Sequence, residues 1–362
     1  MITTINNKHK KLNVPNLRFP EFQGEWDLCK ISNILSIGNG RDYKHLEKGN
    51  IPVFGTGGYM TSVNDYLYDG ETTFIGRKGT INKPYYYKGK FWTVDTLFYT
   101  HSFDGVTPQF VYCLFQTINW LKYNEASGVP SLSKDTIEKL KVHIPPIKEQ
   151  QKISRLILLL DERIATQNKI IEDLKKLKSA ISKKLLCNDK WTTYKIQDIA
   201  EIGRGRVISS VEIDRQKHPL YPVYSSQTSN NGIMGYLDNY MFDGEYITWT
   251  TDGANAGTVF YRKGKFNCTN VCGTLKIQPK FDCYFVSLVL QQATQKYVSS
   301  NLANPKLMNN TMASIKIRMP NIETQKQLSK VFQTLDSCLL VHQRTCKMYQ
   351  IEKQYLLRQM LI

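Results

Sequence analysis

Hydrophobic positions along this chain follow two rhythms. Between Trp26 and Val142 they come in short β-branched and aromatic runs, such as Thr72-Thr73-Phe74-Ile75, Tyr85-Tyr86-Tyr87 and Phe91-Trp92-Thr93-Val94, set between Gly, Asn and Asp. That pattern predicts strands joined by tight turns. One helix is expected at Pro108–Lys122, where Phe110, Leu114, Ile118 and Leu121 recur at helical spacing, and a short one at Lys134–Leu140 with Ser133 as its cap. From Lys148 to Cys187 the rhythm changes. Gly and Pro vanish, and Ile153, Leu160, Gln167, Leu174 and Ile181 recur every seven residues. Leu156, Ile170 and Leu177 hold the position three later, a row broken by Arg163, while Ile157, Ile164, Ile171 and Leu185 widen the stripe. A heptad kept this long predicts a helix of about 60 Å, at a rise of roughly 1.5 Å per residue, built to wrap another helix.

After Asn188-Asp189-Lys190 the pattern is written a second time. Trp191 answers Trp26, Gly203-Arg204-Gly205-Arg206 answers Gly38-Asn39-Gly40-Arg41, and Tyr221-Pro222-Val223-Tyr224 answers Ile51-Pro52-Val53-Phe54. Asp243-Gly244-Glu245 repeats Asp69-Gly70-Glu71, and Lys263-Gly264-Lys265-Phe266 repeats Lys88-Gly89-Lys90-Phe91. A helix is expected near Cys283–Tyr297, and a second long helix runs from Pro320 with Leu328, Leu335, His342, Tyr349 and Leu356 in the matching row. Thr345 and Glu352 also fall at inward positions of that helix. A unit this long is not a solenoid repeat, so two whole domains are expected.

The expected architecture is α+β. A lead-in (1–25), a first strand-rich domain (26–146), a long helix (147–187), a second strand-rich domain (188–320) and a second long helix (321–362) follow in order. If the long helices pack as an antiparallel coiled coil about a pseudo-twofold axis, their midpoints meet and Gln167 faces His342. A polar residue at one core position can fix register at some cost in stability. The alternative is that both side chains lean into solvent at the edge of the seam.

Charge narrows the function. The 362 residues carry a formal +17 with a pI near 9.4 while 41% are hydrophobic. A globular chain this basic prefers a polyanion, above all nucleic acid. Met1–Lys11 is polar and unlike a signal peptide, and the most apolar run, Ile153–Leu160, is short and broken by Ser154 and Arg155. A cytoplasmic protein without a membrane segment is expected. The eight cysteines, among them Cys29, Cys113, Cys187, Cys283 and Cys338, then read as free and mostly buried thiols. Cys268 and Cys272 lack a second Cys/His pair at a usual spacing, so no metal site is expected.

Catalytic parts are missing. There is no phosphate-binding Gly-x-x-x-x-Gly-Lys-Ser/Thr loop, since Gly76-Arg77-Lys78-Gly79-Thr80 is too short, and no dinucleotide fingerprint. His143-Ile144-Pro145-Pro146-Ile147 has prolines but lacks the amide and aromatic of an adenine methyltransferase loop. Glu172-Asp173-Leu174-Lys175 reads as solvated charges on a helix rather than a nuclease centre. What remains is recognition. Base edges and phosphates are read by Arg, Lys, Asn and hydroxyl side chains on positioned elements. The candidates are Arg41, Tyr43, Lys44, Arg77, Lys78, Thr80 and Asn82 in the first domain, and Arg204, Arg206, Thr250, Thr251, Asp252, Asn255, Lys306 and Asn309 in the second. The frame repeats while its tips differ, as two different half-sites require. A regulator of a split site, a self-sufficient adenine-N6 methyltransferase and a structural coiled-coil protein are the competing classes.

Several stretches together resemble one family. Asn16-Leu17-Arg18-Phe19-Pro20-Glu21-Phe22 with Gly24-Glu25-Trp26, Ile144–Ile153 with Leu160-Asp161-Glu162, the weaker Met319–Gln325 with Leu335-Asp336, and Ser127–Ser133 resemble specificity subunits of type I restriction–modification systems. The resemblance implies a non-catalytic subunit with two target recognition domains, each reading half of an asymmetric bipartite site in double-stranded DNA, and two antiparallel helices as a ruler. It implies two modification subunits using S-adenosylmethionine, and restriction subunits using ATP and Mg, with no cofactor on this chain. Thr324 and Asn321 depart from the pattern where the first copy has Glu149 and Pro146.

Overall fold

The computed structural model describes residues 3–4, 13–186, 189–299 and 304–362. Most of Met1–Lys11, together with Cys187 and Asn188, falls outside them. Two compact units divide the chain: unit 1 holds Met1–Lys169 and His342–Ile362, and unit 2 holds Ile170–Val341.

Unit 1 is built on a six-stranded sheet in the order Ser36–Asn39, Leu97–His101, Tyr68–Gly76, Tyr85–Thr93, Lys48–Gly55, Gly58–Val63. All neighbours are antiparallel except Lys48–Gly55 beside Tyr85–Thr93, where Val53 meets Trp92 in parallel. The segments Tyr85–Tyr87 and Phe91–Thr93, expected as separate strands, form one. Gly89, at φ 123°, carries the strand through the site of the expected turn and stays paired with Gly70. A second small sheet pairs Asp27–Lys30 with Lys141–Ile144.

The helix expected to reach Lys122 stops at Thr117. Trp120 is drawn into the core and donates its Nε1–H to Phe115 O at 2.8 Å, which turns the chain and leaves Leu121 53% exposed. The short helix Lys134–Lys139 is capped by Ser133, whose side chain accepts from Thr136 N. The lead-in is docked by its arginine. Arg18 is 4% exposed and grips both oxygens of Glu149, itself 1% exposed, at 2.8 Å.

Unit 2 repeats the strand order with one break. Ala200–Arg204, Cys272–Ile277, Glu245–Thr250 and Val259–Lys263 form one sheet, and Asn267–Cys268, Tyr221–Tyr224 and Ile233–Leu237 the next. The break falls after Lys263, where Gly264 at φ 93° exchanges backbone hydrogen bonds with Gly244. Parallel pairing returns at Val223 with Asn267.

The long helices span Ile147–Leu185 and Ile322–Met360. In unit 1, Ile153, Ile157 and Leu160 pack with Leu356, Leu357 and Met360 into the core that holds Trp26 and Phe110. Asp161 there meets Lys353 at 2.5 Å, and six residues on Gln167 meets His342 at 2.7 Å, so these two segments run in opposite directions. In unit 2, Ile181, Leu328, Phe332 and Leu335 join a core around Trp249 and Phe285, and Lys178 bonds Asp336. Leu174 and Tyr349 are half-buried in their respective units. The apolar stripe is narrower than expected, because only one face of each helix meets its own unit. Leu177 (49%) and Leu185 (37%) are exposed, and Glu352 also lies in solvent. Cys113, Cys268, Cys272, Cys283 and Cys346 are buried free thiols, whereas Cys338 is exposed on the outer helix face. No helix among the described residues is long and apolar enough to cross a membrane.

Candidate nucleic-acid interface

In unit 1 the Gly38-Asn39-Gly40-Arg41 stretch crosses the end of the sheet at very close range. A Cβ on Gly40 would lie 1.9 Å from Val94 O, so only glycine passes. That approach lets Arg41 N donate to Thr93 O at 2.8 Å and Trp92 Nε1 donate to Arg41 O at 2.9 Å. Arg41 is thereby fixed in an exposed position, with Lys44 exposed and Tyr43 packed partly on Val53, Val63 and Trp92. A groove of about 810 Å³ opens beside them, lined by Tyr43, Lys44, Thr56, Met60, Asp95 and Thr96.

Arg77 is held by two residues of that groove, Asp95 and Thr96. Its N–H donates to Thr96 O at 2.8 Å, its Nη1 to Asp95 O at 3.3 Å, and its guanidinium lies 5.9 Å from the Phe98 ring. Lys78 is exposed at the tip, and the Ser127–Ser133 segment closes behind it: Gly79 N donates to Pro130 O at 2.8 Å and Leu132 N to Arg77 O at 2.9 Å. Thr80 is half-buried after the turn. Asn82 belongs elsewhere, on a separate cavity of about 470 Å³ with Lys83, Gln116, Lys347 and Gln350.

Unit 2 uses the same frame. A Cβ on Gly205 would lie 2.1 Å from Cys268 O, and Arg206 N donates to that oxygen at 3.1 Å. Gly253 N donates to Pro305 O at 3.0 Å and Leu307 N to Thr251 O at 2.9 Å, matching the Pro130 and Leu132 contacts of unit 1. The tips differ. Asp252 takes the place of Lys78; its carboxylate accepts from Asn304 and lies 4.0 Å from Lys306 Nζ. Arg206 is bound by Glu212, one arm at 2.9 Å, and this pairing raises the arginine pKa and lowers the carboxyl below its ordinary range. Arg204 is exposed, with Nη2 3.7 Å from Met308 Sδ. Asn255 is exposed and its Nδ2 donates to Ser226 O at 3.4 Å.

In unit 2 three of the candidate residues present buried polar groups. Thr250 and Thr251 are each 1% exposed, because Thr250 ends a central strand opposite Cys272 and Thr251 N donates to Val271 O. Asn309 opens the helix Asn309–Ser314 with its Oδ1 buried, rather than presenting it to solvent. One buried arginine lies outside the candidate set. Arg262 is 3% exposed, 3.6 Å from the Tyr224 ring and 4.4 Å from that of Phe260, with Nε donating to Thr248 Oγ1 at 3.2 Å; burial lowers its pKa. Strand alternation in Val259–Lys263 does place Arg262 on the side of Phe260, and that was the available signal. Burial pushes the nearby Cys268 thiol up. Among the described residues no three His, Cys, Asp or Glu gather as metal ligands.

Each unit thus carries one loop cluster with basic residues on the same repeated frame. A family model described as the type I restriction modification DNA specificity domain matches residues 23–176 and again 188–347. The chain belongs to the type I restriction–modification DNA specificity family. Its relatives in that family include a putative type I specificity subunit of Mycoplasma pneumoniae, 37% identical over 196 residues, covering 53% of this chain and 82% of the relative. The specificity subunit of the type I restriction enzyme MpnII from the same organism is 42% identical over 145 residues, 40% of this chain and 43% of that one. The fold matches the crystal structure of a type I restriction–modification S subunit from M. genitalium with a TM-score of 0.78 at 16% identity, covering 96% of this chain and 99% of that chain. Both matched specificity segments contain one copy of the Gly-x-Gly-Arg crossing and one Pro-closed loop.

Proposed function

We propose that this chain is the DNA-reading subunit of a type I restriction–modification assembly, unit 1 reading one half of an asymmetric bipartite site in double-stranded DNA and unit 2 the other. The observation that carries this reading is the repeated loop frame with unlike tips, Lys78 in one unit and Asp252 in the other. Lys and Arg bind phosphates on any sequence, whereas a carboxylate in that place accepts from cytosine N4 and repels the backbone. A regulator of an inverted repeat needs identical tips, so the difference disfavours that class.

In this reading the long helices form an antiparallel coiled coil related by a pseudo-twofold axis, and their length sets the unread gap. Two modification subunits supply S-adenosylmethionine-dependent adenine-N6 methylation and restriction subunits supply ATP- and Mg-dependent cleavage, all in the cytoplasm; this chain itself is not catalytic. Exposed Leu159, Leu340, Val341, Met348, Ile351 and Tyr355 on the long helices support docking of the modification subunits.

The test is co-expression with a modification subunit, followed by mapping N6-methyladenine across host DNA. Exchanging residues 26–142 for another such domain changes one half of the methylated sequence only. Deleting one heptad from both long helices shortens the gap by about 3 base pairs, since roughly 10 Å of helix is lost against about 3.4 Å per step. An unchanged gap, or a change in both halves after the exchange, defeats the proposal. Methylation by the isolated chain would restore the self-sufficient enzyme.

A further inference from the structure

The two units differ where an aromatic side chain is replaced by a buried cation. In unit 1, Tyr87 packs 4.9 Å from the Phe54 ring and 6.0 Å from that of Phe74. The repeat puts Arg262, Tyr224 and Thr248 at these positions in unit 2, and the guanidinium lies 3.6 Å from the Tyr224 ring. Among the described residues no carboxylate pairs with it. A buried charge without an opposite partner is costly, and unit 1 demonstrates that an aromatic side chain fills the same place.

What lies over Arg262 also differs. In unit 1 the strand Lys48–Gly55 returns through the tight turn Thr56-Gly57, which carries little side chain beside the groove. In unit 2 the corresponding connection runs from Ser225 to Gly232 and is made of Ser, Gln, Thr and Asn. Its neck is closed by Ser225 N donating to Gly232 O at 2.9 Å. Gly232 sits directly against the cation, for a Cβ there would lie 3.1 Å from Arg262 Nη2 and 3.3 Å from Gln227 O. At the tip Asn230 (φ 48°) and Asn231 (φ 53°) both hold the left-handed conformation and are exposed. Asparagine tolerates this region better than other non-glycine residues, so the pair makes a tight turn between the antiparallel strands Tyr221–Tyr224 and Ile233–Leu237 and leaves both residues at its exposed tip. Asn255, one of the candidate DNA contacts, donates to Ser226 O at 3.4 Å and ties the loop to the recognition face.

We infer that Thr228–Asn231 is a base-reading element of unit 2, with Asn230 and Asn231 as specificity-determining residues and Arg262 as the positioning residue beneath them. The inference rests on the DNA-reading function proposed above and adds the residues that set one half-site. Asparagine pairs in bidentate fashion with adenine N6 and N7 in the major groove, so adenine is the base class expected there.

The test selects bound duplexes from a randomised library with the full chain. The wild type yields a split motif. Glycine adopts positive φ freely, so N230G/N231G deletes the reading groups while the backbone keeps its course. It is expected to lose about tenfold or more of its discrimination at one or more positions of one half-site, a bidentate pair's worth, with the other half and the thermal unfolding unchanged. Arg262→Met produces the same loss, and adding it to N230G/N231G produces no further loss of discrimination. A wild-type motif that survives N230G/N231G in both halves overturns the reading role of the loop. Further loss in the triple variant overturns the positioning role of Arg262. A wild type that selects no split motif defeats the underlying function instead, so the two failures are distinguishable.

Discussion

His342 Nδ1 lies 2.7 Å from Gln167 Oε1, and the two residues stand 175 positions apart in matching places of the two long helices. With the amide oxygen accepting, the imidazole carries its proton on Nδ1. Both side chains are half-buried, so losing one leaves the other unpaired in the seam. His342→Leu is expected to cost about 1 kcal/mol. Q167L/H342L recovers that loss and gains roughly 1 kcal/mol of apolar burial. Urea unfolding checks both, and indifference to either change would show that the pair contributes nothing.

The same offset relates two three-way contacts, one in each unit. Asp161 accepts from Tyr112 Oη at 2.9 Å and from Lys353 at 2.5 Å; Asp336 accepts from Tyr284 Oη at 2.6 Å and from Lys178. Burial first, and then Asp161, pushes the Tyr112 phenol well up, so it stays a neutral donor. Lys353 is 12% exposed against 25% for Lys178. Asp161→Ala is therefore expected to cost about 3 kcal/mol, because a nearly buried ammonium is left without its counter-ion. Asp336→Ala is expected to cost about 1 kcal/mol. Equal costs in chemical unfolding would mean that burial does not set the strength of these pairs.

Arg18 holds the lead-in through Glu149, with Nη1 also donating to Gly24 O at 2.6 Å. Glu149→Gln removes the charge and leaves a guanidinium that is 4% exposed without its counter-ion, at an expected cost of about 3 kcal/mol. Trypsin cleavage after Arg18 should accelerate sharply while the rest of unit 1 stays protected. Unaltered cleavage would separate the docking of this segment from the ion pair. Among the described residues the second copy has no such pair: Thr324 stands in place of Glu149, and Asn321 Oδ1 instead accepts from Thr324 N at 2.9 Å as a helix cap.

Lys78 is exposed at the tip of the unit 1 loop, and under the proposed DNA-reading role a cation there is expected to contact phosphate. Lys78→Ala should weaken binding to every duplex alike and lower the slope of log K against log salt by about 0.9, one phosphate contact's worth. Asp252→Lys in unit 2 should raise the slope and blur the sequence preference of one half-site. Fluorescence anisotropy over a salt series measures both. A Lys78→Ala variant that changes preference at one base, with the slope intact, would make Lys78 a base reader.

Some of this was legible in the residue pattern. Heptad spacing from Ile153 to Ile181 predicted a long helix because each such residue returns to one helix face, whatever it packs on. The doubled Gly-x-Gly-Arg marked the close crossings, since glycine is required where a Cβ at Gly40 or Gly205 would strike a carbonyl. Ser133 signalled its helix by a purely local hydrogen bond. Periodicity failed where distant partners overruled it. Leu121 fitted the helical spacing, yet burial of Trp120 ended the helix first. Thr250 and Thr251 carried suitable hydroxyls, but pairing with strands far along the chain took them inside.

Chain order and local chemistry thus determined two mixed domains, their shared frame and their long helices, because those depend on neighbours within a few residues. Which polar groups face outward was decided only on folding. Asp161 meets a tyrosine 49 residues before it and a lysine 192 residues after it, and Arg262 lies under a loop from another strand connection. Such contacts are set by the sheet order and by how the helices pair, and no local spacing encodes them.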